Sequence, residues 1–139
     1  MIQGCTGPGT SGRASGRSIL LIDDDPRVAE TLAELLTLEG FRVVVAHDAT
    51  TGLHHAQAEK PDLILCDLTV RGPLDGPGLA AACRADPALR DVRLAAVSGY
   101  SRAEDVRRAV AAGFDCLIPK PVDIALVHAA FRPAHGALA

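Results

Sequence analysis

Apolar residues gather in five short continuous runs: Ile19-Leu20-Leu21-Ile22, Val43-Val44-Val45, Leu63-Ile64-Leu65-Cys66, Leu94-Ala95-Ala96-Val97 and Cys116-Leu117-Ile118. None of them alternates with polar residues. Each therefore predicts a strand covered on both faces, as in a parallel sheet held between two layers of helix. The stretches between the runs have helical spacing, clearest where Val28, Leu32, Leu35 and Leu36 fall at i, i+4, i+7 and i+8 on one expected core face. Pro26 suits the first turn of that helix, and Gly40 predicts its end, because glycine enters the left-handed conformation at little cost. Weaker helical pairings follow in Leu53 with Ala56, Leu79 with Ala82 and Cys83, Val106 with Val110, and Ile124 with Val127 and Phe131. Strands alternating with helices five times over predict an α/β domain of (βα)5 type, doubly wound around a five-stranded parallel sheet.

This pattern occupies residues 18–131, the size of one domain able to bury a core without staples. Residues 1–17 are rich in Gly and Ser and read as a flexible tail. Gly7 to Gly12 match the letters of a dinucleotide fingerprint, but no strand precedes them and no helix follows, so nucleotide binding there is rejected. Residues 132–139 read as a short C-terminal tail, with no output domain expected after them.

Charge narrows the function classes. A net charge of −3 with both signs interspersed gives no basic footprint for nucleic acid. Neither a leader-like apolar segment nor a membrane-length run is present, which points to a cytoplasmic protein away from membranes. The cysteines Cys5, Cys66, Cys83 and Cys116 lack the close pairing of a zinc or redox motif and read as reduced thiols.

Polar residues at the strand ends carry the candidate chemistry. Asp23, Asp24 and Asp25 follow the first run, Asp67 ends the third, Ser98 follows the fourth and Lys120 the fifth. In an open parallel sheet the carboxyl edge is where ligands bind, so four separate runs aim at one cleft. Carboxylates about 4 Å apart repel by roughly 4 kcal/mol at an effective dielectric near 20, a cost that a divalent cation relieves. All-oxygen ligation suits Mg²⁺, whereas zinc prefers His or Cys. A lysine and a hydroxyl beside that cation complete a cradle for phosphoryl oxygens, with a carboxylate as the nucleophile.

Taken together, ILLIDDDP, LILCDL, AAVSGY and AGFDCLIPKP resemble the response regulator receiver family over roughly residues 18 to 131. The resemblance implies a flavodoxin-like, chemotaxis-regulator-like sheet of order 2-1-3-4-5. It implies that Asp67 accepts a phosphoryl group from a histidine kinase or histidine phosphotransfer protein in a Mg²⁺-dependent reaction, and that the chain is a signalling domain and not an enzyme. Asp24 and Asp67 would ligate the metal directly, Thr69 through its backbone carbonyl and Asp23 through water. Ser98 would be the switch hydroxyl, Gly99 would leave the phosphoryl room, and Lys120 would precede a cis bond to Pro121. Thr69 and Tyr100 stand at positions that tune phosphoryl lifetime in the family. A downstream protein target would meet the fourth helix, fifth strand and fifth helix, where Arg102, Glu104, Asp105, Arg107 and Arg108 cluster. Two departures stand out. Arg71 replaces the usual proline four residues after the acceptor, ahead of a Gly72–Gly76 loop that reads as one residue longer. Leu117 occupies the switch position that the family often gives to Tyr, Phe or His, so a rotating aromatic ring is not the readout.

Each residue also has a plainer reading. Asp25 suits a helix N-terminus just before Pro26. His47, His54, His55, His128 and His135 share no ligand spacing and read as surface or helix-face residues. Cys66 reads as a small apolar packing residue. A competing function is an interaction module that keeps the fold without phosphorylation. A flavin or nucleotide binder of the same topology would need a phosphate loop that the folded part lacks.

Overall fold

A computed structural model describes residues 16–99 and 102–131, and in it the five runs become β1 (Ser18–Ile22), β2 (Arg42–Ala46), β3 (Leu63–Asp67), β4 (Arg93–Ser98) and β5 (Cys116–Pro119). The helices are α1 (Pro26–Leu38), α2 (Ala49–Glu59), α3 (Gly76–Ala85), α4 (Ala103–Ala112) and α5 (Ile124–Ala130). The expected tails (1–15 and 132–139 of them), the Gly7–Gly12 segment, Tyr100 and His135 lie outside the described residues. All strand pairs are parallel and the order is β2-β1-β3-β4-β5, the flavodoxin-like arrangement.

Successive residues of each strand serve opposite layers, which is why the runs are apolar throughout. Leu20, Ile22, Ile64, Cys66, Leu94, Ala96 and Leu117 pack with Ala56, Leu79, Cys83, Val106 and Ala109 of α2, α3 and α4. Ile19, Leu21, Leu63, Leu65, Ala95, Val97 and Ile118 pack with Ala29, Leu32 and Leu36 of α1 and Val127 and Ala130 of α5.

The ends of α1 follow local chemistry closely. Asp25 caps it by accepting from the Arg27 and Val28 amides, and Pro26 needs no partner at the first position. At the other end the Gly40 N–H reaches the Thr37 carbonyl and the Phe41 N–H reaches that of Leu36, with Gly40 at φ +104°. That is a Schellman stop, and buried Phe41 and Leu36 supply its apolar contact. The expected core face of α1 needs correction. Leu32 and Leu36 are buried together with Ala29, whereas Val28 and Leu35 are 41% and 47% exposed. The sheet covers only one side of the helix, the side that carries Ala29, Leu32 and Leu36.

Asp48, Asp75 and Asp123 cap α2, α3 and α5 in the same way as Asp25 caps α1. At the amino-terminal edge of the sheet, Asp115 joins Arg84 of α3 at 3.0 Å and Arg93 of β4 at 3.1 Å, and so fixes where β5 begins. Cys66 and Cys83 are free and buried, as read from the sequence. Cys116 is disulfide-bonded, which corrects the reduced-thiol reading at that position, since the absence of a close cysteine pair in the sequence does not exclude a bond to a distant one.

Candidate functional site

Because the strands are parallel, the residues after β1, β3, β4 and β5 share one edge. β1 and β3 are neighbours there, and the chain winds away from them in opposite directions, which opens a crevice between the loops that follow them. Asp67 closes β3 inside this crevice and is only 3% exposed. Its Oδ2 accepts from the Lys120 ammonium at 2.7 Å. Its Oδ1 accepts from both the Thr69 amide and the Thr69 hydroxyl, each at 2.8 Å. A carboxylate offers about four acceptor positions, so three are filled and one is left.

Electrostatics separates the two buried acids. Burial is the strongest single influence on Asp67 and opposes its ionisation, yet the Lys120 ammonium and the two Thr69 donors outweigh it and hold the carboxyl below the ordinary range. Asp23, 4% exposed, goes the other way. Burial raises its carboxyl, the charges of Asp67 and Asp24 add to that, and the Asp25 amide at 2.9 Å and Lys120 compensate only in part. Lys120 is itself shifted up: burial disfavours the ammonium, but its bond to Asp67 and the charges of all three acids prevail.

The remaining expected residues take defined places. Asp24 is exposed at the mouth of the crevice. Ser98 is buried, and its carbonyl accepts the Lys120 amide at 2.9 Å, so the end of β4 sets the height of the lysine. The Lys120–Pro121 bond is cis. Beside Ser98 and Thr69 a cleft of about 230 Å³ reaches Asp105, Arg108 and Ala109 of α4. A Cβ on Gly99 would meet no described atom within 4 Å. Leu117 is fully buried in the core layer of α2, α3 and α4. Arg71 is exposed on the loop after β3, which turns through Gly72 at φ +129° and ends where Asp75 caps α3.

Three features were not read from the sequence. The Thr69 hydroxyl binds Asp67 directly, and a hydroxyl two residues past a strand-end acid was the available signal. The ring of His47, at the carboxyl end of β2, lies with Nδ1 3.1 Å from the Asp23 carbonyl. A groove of about 410 Å³ leads from Asp67 and Lys120 along Arg27, Val28 and Leu35 of α1.

The site also bears on metal binding. Among the described residues no group of three or more His, Cys, Asp and Glu side chains is placed to hold a metal ion, so a cation here would depend on backbone oxygen and water besides one or two carboxylates. Paired acids of opposed character, one acceptor position left on Asp67 and an exposed Asp24 at the rim form an oxygen-only donor set. Such a set fits a hard divalent cation that keeps much of its water.

Fold and site together define a signalling module built around a buried strand-end carboxylate. The model of the response regulator receiver domain matches residues 19–132, and the chain belongs to that family, a component of two-component signalling and not an enzyme. The chain is 34% identical over 105 residues to an uncharacterized 14.6 kDa protein from the sodA1 3′ region of Leptolyngbya boryana, covering 76% of this chain and 79% of that one. It is also 34% identical over 114 residues to the transcriptional activator protein PfeR of Pseudomonas aeruginosa, covering 77% of this chain but 34% of PfeR. The chain thus spans about a third of PfeR, and 47% of the regulator CseB of Streptomyces coelicolor. Among solved structures, a response regulator of Burkholderia pseudomallei, described with a phosphorylated aspartic acid, calcium ion and citrate, superposes with a TM-score of 0.73 at 32% identity, over 84% of this chain and 66% of that one. The receiver domain of a Colwellia psychrerythraea regulator gives 0.72 at 26%, over 81% and 92%.

Proposed function

We propose that the protein is a phosphorylation switch in which Asp67 accepts a phosphoryl group from a histidine kinase or histidine phosphotransfer protein. The observation that carries this reading is the Lys120 ammonium bonded at 2.7 Å to a buried Asp67 held ionised. The likeness to a solved regulator described with a phosphorylated aspartic acid and a calcium ion supports it.

In the reaction a carboxylate oxygen of Asp67 forms a bond to phosphorus as the bond from phosphorus to the donor imidazole breaks, and the imidazole nitrogen regains a proton. Negative charge moves from the carboxylate toward the phosphoryl oxygens. Lys120 and the Thr69 amide and hydroxyl already converge on the carboxylate and can follow that charge without reorganising. Asp24, Asp67 and the Thr69 carbonyl would hold Mg²⁺, with Asp23 acting through water, and the bound cation would neutralise phosphoryl and carboxylate charge. The groove beside α1 gives the donor an apolar approach to Asp67.

Once phosphorylated, the site draws the Ser98 hydroxyl toward the new oxygens and so biases two conformations. Leu117 lies in the core, so the change passes through the cleft between Ser98 and α4 and not through a turning ring. A downstream protein would read it on the α4, β5 and α5 face, where Arg107 and the Arg108–Glu104 pair are exposed. Transfer from an ATP-using kinase places the reaction in the cytoplasm. Among the described residues no helix is long and apolar enough to cross a membrane.

The test is intact mass after incubation with Mg²⁺ and acetyl phosphate, and with a phosphorylated histidine kinase, beside Asp67→Asn and EDTA controls. One added phosphoryl group, absent from both controls, supports the reading. No addition from either donor overturns it in favour of an interaction module that keeps only the fold.

A further inference from the structure

We propose that His47 is a positioning residue of the Asp67 site, holding the turn at Asp23 so that the acidic pair faces a divalent cation; this rests on the phosphoacceptor reading above. Asp23 is the first residue beyond β1, where the chain must leave the sheet and present two acids in succession. Its N–H still donates to the Ala46 carbonyl at 3.1 Å, one step past the last paired residues, Ile22 and Ala46. In a parallel ladder the next rung would come from the N–H of Asp48 to the Asp23 carbonyl. Asp48 instead belongs to the cap of α2, its carboxylate accepting the Thr51 amide at 2.7 Å. The His47 side chain supplies the missing donor, with Nδ1 3.1 Å from the Asp23 oxygen. A carbonyl only accepts, so Nδ1 carries the proton.

Asp23 is therefore held on three sides. Ala46 and His47 fix its backbone from β2, and the Asp25 amide fixes its carboxylate from α1. The His47 ring is exposed and belongs to neither core layer, and its bond to Asp23 is its contact with the strand-end site. Asp23 and Asp24 repel each other and Asp67, and without the ring the carbonyl side of the turn loses its tie to the end of β2 and the turn is looser. Mg²⁺ tolerates little departure from octahedral geometry, so a looser turn weakens its binding. Partners one step behind a metal ligand commonly govern affinity by about 10–100-fold, and His47, which acts through an acid that itself reaches the cation by way of water, belongs at or just below the lower end of that range.

The test compares His47→Ala, His47→Phe and His47→Asn with the wild type. The amide nitrogen of Asn occupies the place of Nδ1 and restores the donor, while Phe keeps a ring without one. The half-saturating Mg²⁺ concentration is read from thermal stabilisation without any phosphodonor, and labelling by acetyl phosphate is read at saturating Mg²⁺. The Ala and Phe variants are expected to need about five- to tenfold more Mg²⁺, with wild-type labelling restored at saturation, while Asn stays within about twofold of the wild type. Wild-type half-saturation in the Ala variant, or an Asn variant as weak as Ala, overturns the role of His47 while leaving the phosphoacceptor reading intact. A wild-type protein that neither responds to Mg²⁺ nor becomes labelled overturns both.

Discussion

The Lys120 ammonium and Oδ2 of Asp67 meet at 2.7 Å across 53 residues of sequence, each delivered by the end of its own strand. The acid is buried while the lysine side chain keeps 34% of its exposure, so the pair lies at the boundary of the core, with the ammonium facing both the acid and solvent. Asp23, a few ångströms of backbone away in the neighbouring strand end, has no such lysine bond, and the two acids consequently differ in character.

That difference makes the pair pH-dependent at both extremes. Folding lowers the Asp67 carboxyl, so its contribution to stability is complete above the unfolded value of about 3.9 and is lost as pH falls through the folded one. Folding raises Lys120, so its contribution is complete below about 10.4 and is lost as pH rises through its folded value. Lys120→Met should abolish the loss at high pH and shrink the one at low pH, because only the Thr69 amide and hydroxyl then oppose the burial of Asp67. Urea midpoints of the two proteins measured across pH, with the Asp67 carboxyl followed by carbon NMR, check this; parallel curves would refute it.

Asp23→Asn should stabilise the protein at pH 7 without divalent cations. The raised Asp23 carboxyl means that its ionised form is disfavoured by folding, a cost absent below about pH 3.9 and complete above the folded value. Asn keeps an acceptor for the Asp25 amide and drops the charge. A gain on the order of 1 kcal/mol, about 4 °C in Tm, is expected. Mg²⁺ should reverse the order by stabilising the wild type more, and thermal denaturation with and without the cation reads both effects.

Gly52→Ala tests how α2 supports the site. Alanine ordinarily favours a helix interior over glycine by about 1 kcal/mol. Here the added Cβ would collide with the Ile22 side chain, one residue before Asp23. Overpacking should prevail and destabilise the variant by about 1–3 kcal/mol in chemical denaturation, with NMR shifts moving at Ile22 and Asp23.

Asp75→Ala removes the acceptor that holds the Gly78 amide at 2.8 Å and starts α3. A loss of about 1 kcal/mol is expected, together with faster hydrogen exchange at residues 78 and 79. Unchanged exchange there would show that the loop after Asp67 is held by other contacts.

The elements were legible because their signals are local. Five unbroken apolar runs are matched to the strands of a sheet covered by helices on both faces, and Asp25, Pro26 and Gly40 start and stop α1 through bonds to their own near neighbours. The resemblance to a known family supplied the strand order, while the places of Asp23, Asp67 and Lys120 at the ends of apolar runs already pointed to one edge, to which the fold does bring them. What the amino-acid pattern left open depends on distance in space. Leu35 and Leu36 look alike in the sequence, and only the angle at which α1 lies on the sheet buries one and exposes the other. The bonds from His47 to Asp23 and from Lys120 to Asp67 join residues 24 and 53 positions apart, and no local pattern encodes them. The sequence alone determined which residues could be strand, helix, cap or strand-end acid, since those choices turn on neighbours within a few positions. Which of the acids receives the lysine, and which side of α1 meets solvent, was decided by tertiary structure, because both depend on how separately formed elements pack.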